Sequence, residues 1–387
     1  MNIALFYHSL CSDWNHGNAH FLRGIATELH ARGHAVQVFE PEAAWSLVNL
    51  VAEHGEAPLH AFHQAYPHLC STPYVLQQLD LDRVLEGMDL VIVHEWNEPE
   101  LVWRLGLHHR HNPDYVLLFH DTHHRSVTNP ESLAVYDLSQ YDGVLAYGSA
   151  IRDIYLARGW APRAWTWHEA ADTRVFRPLE QVEKQGDVVW IGNWGDEERT
   201  AELHEFLVQP VVAMRLRARV HGVRYPKEAC ETLAAVGIEY AGWLPNYQVP
   251  QVFAQFHVTL HISRRPYVQA LPGIPTIRLF EALACGIPLV CSPWQDVEGL
   301  FTPGKDFLLA RNGREMQRHI RALLHDPAMA QEMAAHGRQT IVQRHTCAHR
   351  VDELLHIWAE LRGKPVAPAA APASTRQYTP RNTRSLL

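Results

Sequence analysis

Residues 263–293 read SRRPYVQALPGIPTIRLFEALACGIPLVCSP, and this stretch decides the fold class of the chain. A loop rich in proline and glycine leads into a segment that we predict to be a helix from near Thr276 to Gly286. The apolar run Ile287–Ser292 follows at once and is predicted to be a strand. A helix that runs directly into a short buried strand is typical of a parallel α/β sheet.

Short apolar runs recur in both halves of the chain, separated by segments of helix length. In the first half these runs are Ile3–Tyr7, Val36–Phe39, Leu90–Val93, Tyr115–Phe119, Gly143–Tyr147 and Ala164–Trp167. In the second half they are Asp187–Gly192, Met214–Val220, Ile238–Trp243, His257–Ser263, Ile287–Ser292 and Phe307–Ala310. We therefore predict two doubly wound, Rossmann-like parallel-sheet domains that face each other across a cleft. Ligands in such sheets bind beyond the carboxyl ends of the strands.

The predicted domain boundary lies near Asp172. Residues 1–172 form the N-terminal domain, and residues 173–362 form the C-terminal domain. The second domain ends in closing helices, predicted at Glu315–His325, Ala328–Arg344 and His349–Arg362. Residues 363–387 are rich in Pro, Ala, Ser and Thr and are predicted to be a disordered tail.

Composition narrows the classes of partner. The formal net charge is -8, and no long Lys/Arg block precedes the tail, so we expect no nucleic-acid partner. Six cysteines are scattered without a C-x-x-C pair, which is typical of a reducing compartment, and no export signal or spanning segment is indicated, so we expect a cytoplasmic protein. The segment Trp103–His111 is basic and aromatic and allows at most a peripheral membrane contact.

The predicted helix after Thr276 favours an anion site. Its unpaired N-terminal amides can hold a phosphate, and Thr276 can cap them or offer its hydroxyl to the ligand. Glu281 lies about 7.5 Å further along the helix. Because its neighbours are apolar, the carboxylate needs a partner: either the ribose hydroxyls of a nucleotide or an ion pair with Arg278.

Four stretches carry a resemblance to a known family. They are RLFEALACGIPLV (278–290), PGKDFLLA (303–310), WIGNWGDEERTAEL (190–203) and EAADTRVFRP (169–178). The chain resembles the GT-B glycosyltransferases of the glycosyl transferases group 1 type over about residues 1–360, most closely the CgeB-like, spore-maturation branch. The resemblance implies transfer of a sugar from a nucleoside-diphosphate sugar, with UDP favoured, to a hydroxyl acceptor such as a polysaccharide, a lipid-linked molecule or a small molecule. It also implies retention of configuration and no metal or other cofactor.

The same resemblance assigns the donor-binding residues. Departure of a nucleoside diphosphate needs fixed cations, and the candidates are Arg199 first and Arg264 next. The remaining candidate donor ligands are Asn193, Gly17, the backbone of Gly273, Ile274, Pro275 and Thr276, and Glu281. The first of two glutamates that many retaining members carry falls on Gly273 in this chain.

On the acceptor side, three residues carry the expected chemistry. His120 stands where the family places a histidine that faces the donor sugar. Asp13 or His16, in the first loop, can take the proton of the acceptor. Trp14, Trp96 and Trp194 lie in predicted cleft loops and can stack on a sugar or a base.

Two alternatives remain open at this stage. His94, His120 and His168 end three predicted strands at one edge of the sheet, and they can form the metal site of a hydrolase. Gly273 in place of a glutamate instead suggests a nucleotide-sugar binding protein without turnover.

Overall fold

The computed structural model describes residues 1–195 and 197–364. Most of the predicted tail lies outside the described residues. The first half of the chain forms a parallel sheet of seven strands in the order β3-β2-β1-β4-β5-β6-β7. Its strands are β1 Asn2–Phe6, β2 Ala35–Pro41, β3 Ser71–Tyr74, β4 Leu90–His94, β5 Val116–Asp121, β6 Gly143–Ala146 and β7 Ala164–Thr166.

The second half forms a separate parallel sheet of six strands in the order β10-β9-β8-β11-β12-β13. Its strands are β8 Gly186–Ile191, β9 Ala218–His221, β10 Glu239–Tyr240, β11 Phe256–His261, β12 Leu289–Cys291 and β13 Leu308–Leu309. Every predicted apolar run contains or overlaps a strand. The predicted pair of doubly wound domains is therefore confirmed.

Helices connect the strands in both domains. In the first domain they are α1 Ala19–Ala31, α2 Trp45–His54, α3 Ala57–Ala65, α4 Leu81–Val84, α5 Pro99–His111, α6 Arg125–Thr128, α7 Pro130–Ala134 and α8 Ser149–Ala157. In the rest of the chain they are α9 Thr200–Leu203, α10 Gln209–Met214, α11 Lys227–Ala235, α12 Val249–Ala254, α13 Arg265–Gln269, α14 Ile277–Cys285, α15 Gly313–His325, α16 Pro327–Arg344 and α17 Cys347–Leu361. Short 3₁₀ turns span Leu76–Gln78 and Asn246–Gln248, and a π-helical turn spans His204–Val208.

Strand β3 was not predicted, and its composition explains why. Its four residues, STPY, are half-buried or exposed, and the strand pairs only with β2 at the edge of the sheet. Pro73 cannot donate to a neighbouring strand, which is tolerated only at such an edge. The run therefore lacks the buried apolar pattern that marks the central strands.

Both faces of each sheet are covered. Along β1, Ala4 and Phe6 pack into one apolar cluster, whereas Ile3 and Leu5 pack into another on the opposite face. Strand β8 alternates in the same way between two clusters of the second domain. This is the burial expected of parallel sheets with helices on both sides.

The last helix departs from the predicted domain division. Helix α17 packs on the first domain, where Val351, Leu354 and Ile357 join the cluster that contains Ile3 and Leu5. The predicted C-terminal domain, 173–362, included this helix. The amphipathic pattern alone could not tell which of the two sheets α17 would cover.

The chain crosses between the domains at two adjacent points. Ala171, on the first crossing, forms an isolated parallel bridge with Thr346, on the second. The Ala171 amide donates to the His345 carbonyl at 3.0 Å, and the Cys347 amide donates to the Ala171 carbonyl at 3.0 Å. The two domains are thus joined by a hydrogen-bonded pair of connections.

Within the described residues, no helix is both long enough and apolar enough to span a membrane.

Candidate active site

A cavity of about 550 Å³ lies between the two domains. Residues that end or follow strands of both sheets line it, including His8 after β1, His123 after β5, His221 at the end of β9 and His261 at the end of β11. This is the predicted position at the carboxyl ends of the strands. The predicted site residues that line the cavity are Asp13, His16, Gly17, Trp96, Asn193, Arg199, Arg264 and Thr276.

Arg199 is a half-buried cation held by neutral groups. Its Nε donates to the Asn193 carbonyl at 3.1 Å, and its Nη1 donates to the Ile262 carbonyl at 3.0 Å. Burial, and next the charge of Arg264, lower the pKa of its guanidinium to about 9. Among the described residues no carboxylate is paired with it, so a bound anion would complete its contacts.

Further cations belong to the same wall. Arg264 and Arg278 line the cavity and are partly exposed. Each is paired with one carboxylate: Arg264 lies 3.1 Å from Glu198, and Arg278 lies 2.5 Å from Glu281. Arg224 also lines this wall. The C-terminal side of the cavity therefore carries a concentration of positive charge.

Unpartnered imidazoles stand beside these cations. Both ring nitrogens of His221 and the Nδ1 of His261 are buried without a hydrogen-bond partner among the described residues. Burial lowers the pKa of each ring to about 4, so both are neutral near pH 7. Buried polar atoms normally have partners, so these nitrogens are candidates for ligand contacts.

Thr276 is the N-cap residue of α14 but makes no side-chain capping bond. Its hydroxyl instead lies 3.0 Å from the Nε2 of His261, on the cavity wall. Of the two roles predicted for Thr276, the cap is therefore wrong, whereas a ligand contact remains available to the hydroxyl.

The preceding loop is turned away from the cavity. Gly273, Ile274 and Pro275 do not line it. Ile274 packs against Gly148 of the first domain, and a Cβ on Gly148 would collide with that side chain. Pro275 has no N–H to offer a phosphate. The loop thus joins the two domains in this structure, and of the predicted stretch only Thr276 reaches the cavity.

Glu281 also lies outside the cavity and is completely buried. One carboxylate oxygen lies 2.9 Å from the Nδ1 of His20, on α1 of the other domain, and the second lies 2.5 Å from the Nη1 of Arg278. Burial opposes its charge, yet Arg278 and His20 lower the pKa of the carboxyl. The ion pair that was one of two predicted alternatives is formed, and both oxygens that a ribose would need are occupied.

Asp13 and His16, the two predicted acceptor bases, differ in what they can still bind. Asp13 is paired with Arg23 at 2.8 Å and also accepts from the Trp243 indole and the Asn246 amide, so both its oxygens are engaged. In this structure it bridges the domains. Three of the roughly four lone-pair sites of its carboxylate already accept hydrogen bonds, which leaves little room for an acceptor hydroxyl.

His16 retains an open nitrogen. Its Nε2 lies 3.1 Å from the Ser9 carbonyl, which can only accept, so Nε2 carries the proton and Nδ1 keeps a lone pair. Burial, and next the charges of His8 and Arg23, hold the pKa of the ring well below its usual value. Because His16 lines the cavity, it is the better candidate for the acceptor base.

Two other predicted residues shape the floor of the cavity. Gly17 lies close to α14, where a Cβ would stand 3.4 Å from the Ile277 side chain. Asn193 bridges the domains: its amide nitrogen donates to the Asn15 side chain, and its oxygen accepts from the Val223 amide at 2.9 Å. Both residues bring the two walls together at this point.

His120 does not reach the cavity. The ring is completely buried and does not line the cavity: its Nδ1 lies 2.6 Å from the Tyr7 hydroxyl, and it meets the Trp167 ring edge to face. Burial lowers the pKa of the ring to about 3. The residue ends strand β5 as predicted, but its side chain points into the core rather than toward a sugar.

The predicted cluster of His94, His120 and His168 is not formed. His168 contacts the Tyr147 carbonyl at 2.9 Å and Glu298 of the other domain at 3.0 Å. In the part of the chain that the structure describes, no three His, Cys, Asp or Glu side chains are grouped as metal ligands.

Several cavity residues were not predicted as ligands, above all His8, Trp45 and Glu169. His8 follows the first strand just as His123 follows β5, so its place in the sequence could have indicated it. Trp45 begins a helix, where no sequence rule marks it. Of the three tryptophans predicted to stack on a ligand, Trp96 lines the cavity, whereas Trp14 and Trp194 are buried outside it.

Known proteins share this architecture. Residues 199–356 match the family described as Glycosyl transferase-like. No curated protein sequence matches the chain. Sucrose-phosphate synthase from Thermosynechococcus elongatus has a similar structure, with a TM-score of 0.63 and 15% identity over 94% of this chain and 99% of the other. Anabaena HepE in complex with UDP and glucose also has a similar structure, with a TM-score of 0.67 and 15% identity over 93% of this chain and 99% of the other.

A third similar structure is the T4 phage enzyme BGT in complex with UDP-glucose, with a TM-score of 0.59 and 13% identity over 93% of this chain and 99% of the other. The class is thereby defined: the chain has the GT-B fold, two Rossmann-like domains with a cavity between them. More narrowly, the residues that match the Glycosyl transferase-like family, 199–356, include the arginines of the cavity wall.

Proposed function

We propose that this protein is a glycosyltransferase that moves a sugar from a nucleoside-diphosphate sugar, with UDP as the favoured nucleotide, to a hydroxyl acceptor. The observation that carries the proposal is the distribution of charge around the cavity. The arginines that line it, Arg199, Arg224, Arg264 and Arg278, all come from the C-terminal domain. Such a one-sided cluster suits a diphosphate. Two proteins of similar structure were solved with UDP and glucose or with UDP-glucose, which favours UDP as the nucleotide.

The reaction uses the two walls differently. The acceptor oxygen forms a bond to the anomeric carbon on the face from which the diphosphate leaves, while the bond from that carbon to the phosphate oxygen breaks, so the configuration is retained. Negative charge grows on the departing diphosphate, which Arg199 and Arg264 stabilise. The acceptor proton goes to the Nδ1 of His16.

Four finer assignments belong to the same proposal. Retention of configuration and the CgeB-like branch rest on the resemblance of residues 278–290 to that family. Independence of metal rests on arginines as the counter-charges for the diphosphate. A cytoplasmic location is supported by the six cysteines, which all lie in the described part of the chain and are unpaired. The anomeric configuration of the product, measured by NMR, tests retention.

UDP is expected to stabilise the protein in the presence of a chelator. A ligand at 100 times its dissociation constant adds about 2.7 kcal/mol to the free energy of unfolding. We would measure thermal unfolding with UDP, GDP and dTDP, each with and without EDTA. Loss of every shift on chelation contradicts the proposal that arginines alone hold the diphosphate. Transfer or donor hydrolysis above background separates an enzyme from a protein that only binds the donor.

UDP affinity is expected to fall as the pH rises past about 8. Glu169 lines the cavity, and burial, assisted by the charge of Glu281, raises the pKa of its carboxyl to about 8. Below that pH the carboxyl is neutral, whereas above it a negative charge faces the diphosphate. The repulsion should weaken binding roughly fivefold, equivalent to about 1 kcal/mol.

The Glu169→Gln variant isolates this effect. Its affinity should stay level through pH 8 and above, because the amide carries no charge at any of these pH values. Calorimetric titrations at several pH values provide the measurement. Identical pH profiles for the two proteins exclude Glu169 as the cause.

A further inference from the structure

The wall opposite the arginines has a different chemistry. Among the described residues that line the cavity, the N-terminal domain contributes no lysine or arginine. It contributes instead two partly exposed indole rings, Trp45 at 37% and Trp96 at 38%, together with several imidazoles. This wall therefore offers flat apolar surfaces and neutral polar groups rather than positive charge.

Each of the two indole rings packs against neighbouring side chains that fix its position. Trp45 stacks on His8, with ring centroids 5.3 Å apart and planes at 11°, and meets Trp14 edge to face. The Arg125 guanidinium lies 4.2 Å from the centre of the Trp96 ring and is itself anchored to Glu95. Rigid aromatic rings of this kind bind a ligand at a small cost in conformational entropy.

His8 supplies an unsatisfied polar group in the same wall. It is only 3% exposed, yet neither ring nitrogen has a hydrogen-bond partner among the described residues. Burial lowers the pKa of the ring to about 4, so it is neutral near pH 7 and has one donor and one acceptor. A ligand hydroxyl, which both donates and accepts, matches that pair, whereas a phosphate or carboxylate requires donors.

We propose that Trp45, Trp96 and His8 form a binding site for a saccharide acceptor. The C–H faces of pyranose rings pack against the two indoles, and a sugar hydroxyl pairs with the His8 imidazole. The proposal rests on the proposed function, because it places the acceptor opposite the donor diphosphate. Nucleic acid is disfavoured because this wall offers no cations to its phosphates.

The test uses the whole protein with UDP-glucose labelled in the sugar. Maltotetraose, cellotetraose and xylotetraose are offered as acceptors, beside a single-stranded DNA 13-mer and phosphatidylglycerol vesicles. We expect label in at least one oligosaccharide and in neither of the other two. Label in DNA or lipid, or donor hydrolysis without label in any of the three oligosaccharides, overturns the saccharide assignment.

Substitutions of the three proposed residues then test whether they bind the acceptor. Trp45→Ala and Trp96→Ala should each raise the acceptor KM at least about tenfold while the dissociation constant of UDP stays unchanged. His8→Phe keeps the stacking on Trp45 but removes both ring nitrogens, and it should likewise raise only the acceptor KM. Trp103→Ala is the matched control, because Trp103 is 51% exposed on α5 and does not line the cavity.

Two failures are distinguishable. If UDP neither stabilises the protein nor binds in titrations, the proposed function itself is wrong. If UDP binds normally but Trp45→Ala weakens it, Trp45 stacks on the nucleotide base and the acceptor site is overturned.

Discussion

Replacing Arg199 by methionine is expected to weaken UDP binding by about 100-fold, because the loss of one charge-assisted contact in a partly dry site costs roughly 3 kcal/mol. Arg199 lines the cavity, its described partners are backbone carbonyls, and the charge of nearby Arg264 adds to the demand for an anion. Arg199→Lys should recover part of the affinity, since it restores the charge without the planar fork of donors. Isothermal titration with UDP measures both variants.

Arg265→Met is the matched control. Arg265 lies on the same segment as Arg264 but is 44% exposed, pairs with Glu202 and does not line the cavity. Its replacement should leave UDP affinity unchanged. Circular dichroism and thermal unfolding without ligand show whether Arg199→Met remains folded. A native-like Arg199→Met protein with normal UDP affinity would falsify the proposed diphosphate site.

Replacing Glu281 by alanine should destabilise the protein by about 2–4 kcal/mol, because it leaves a buried interdomain pair without its carboxylate. His20 is buried, so its Nδ1 proton loses its partner, whereas Arg278 is 27% exposed and can be hydrated. In a chain of this length, about 3 kcal/mol corresponds to a fall in Tm of roughly 4 °C. Differential scanning calorimetry measures it.

Glu281→Gln should lose less stability, because the amide oxygen still accepts a hydrogen bond from His20. Glu332→Ala, which removes an exposed glutamate of α16, is the control and should leave the Tm unchanged. If both Glu281 variants instead keep the wild-type Tm but bind UDP more weakly, Glu281 binds the ribose hydroxyls of the nucleotide, which is the other partner that the sequence allowed.

Periodicity predicted the central strands because both faces of a parallel sheet are buried, so each strand is a continuous apolar run. It missed β3, whose residues are half-exposed and include a proline. It also did not indicate that α17 packs on the first domain. The side chains Val351, Leu354 and Ile357 mark an apolar face but do not state which sheet they will cover.

The position of the site was predictable, whereas the orientation of individual side chains was not. Polar residues at the carboxyl ends of strands identified the cavity edge, yet His120 points into the core and His123, a few residues later, lines the cavity. Arg199 followed from the charge that a diphosphate requires. Asp13 and Glu281 each also have a partner in the other domain, Trp243 and His20 respectively, more than 200 positions away, and no local pattern contains these contacts.

The paired crossings at Ala171 and Thr346 bear on how such genes can recombine. A chimera made at a single crossover point near residue 172 would join a foreign α17 to the native N-terminal core, where the apolar face of that helix must fit. An exchange of donor specificity between relatives therefore needs a double crossover, with one junction at each connection. The C-terminal domain is then an insertion within the chain of the N-terminal domain rather than a domain that follows it.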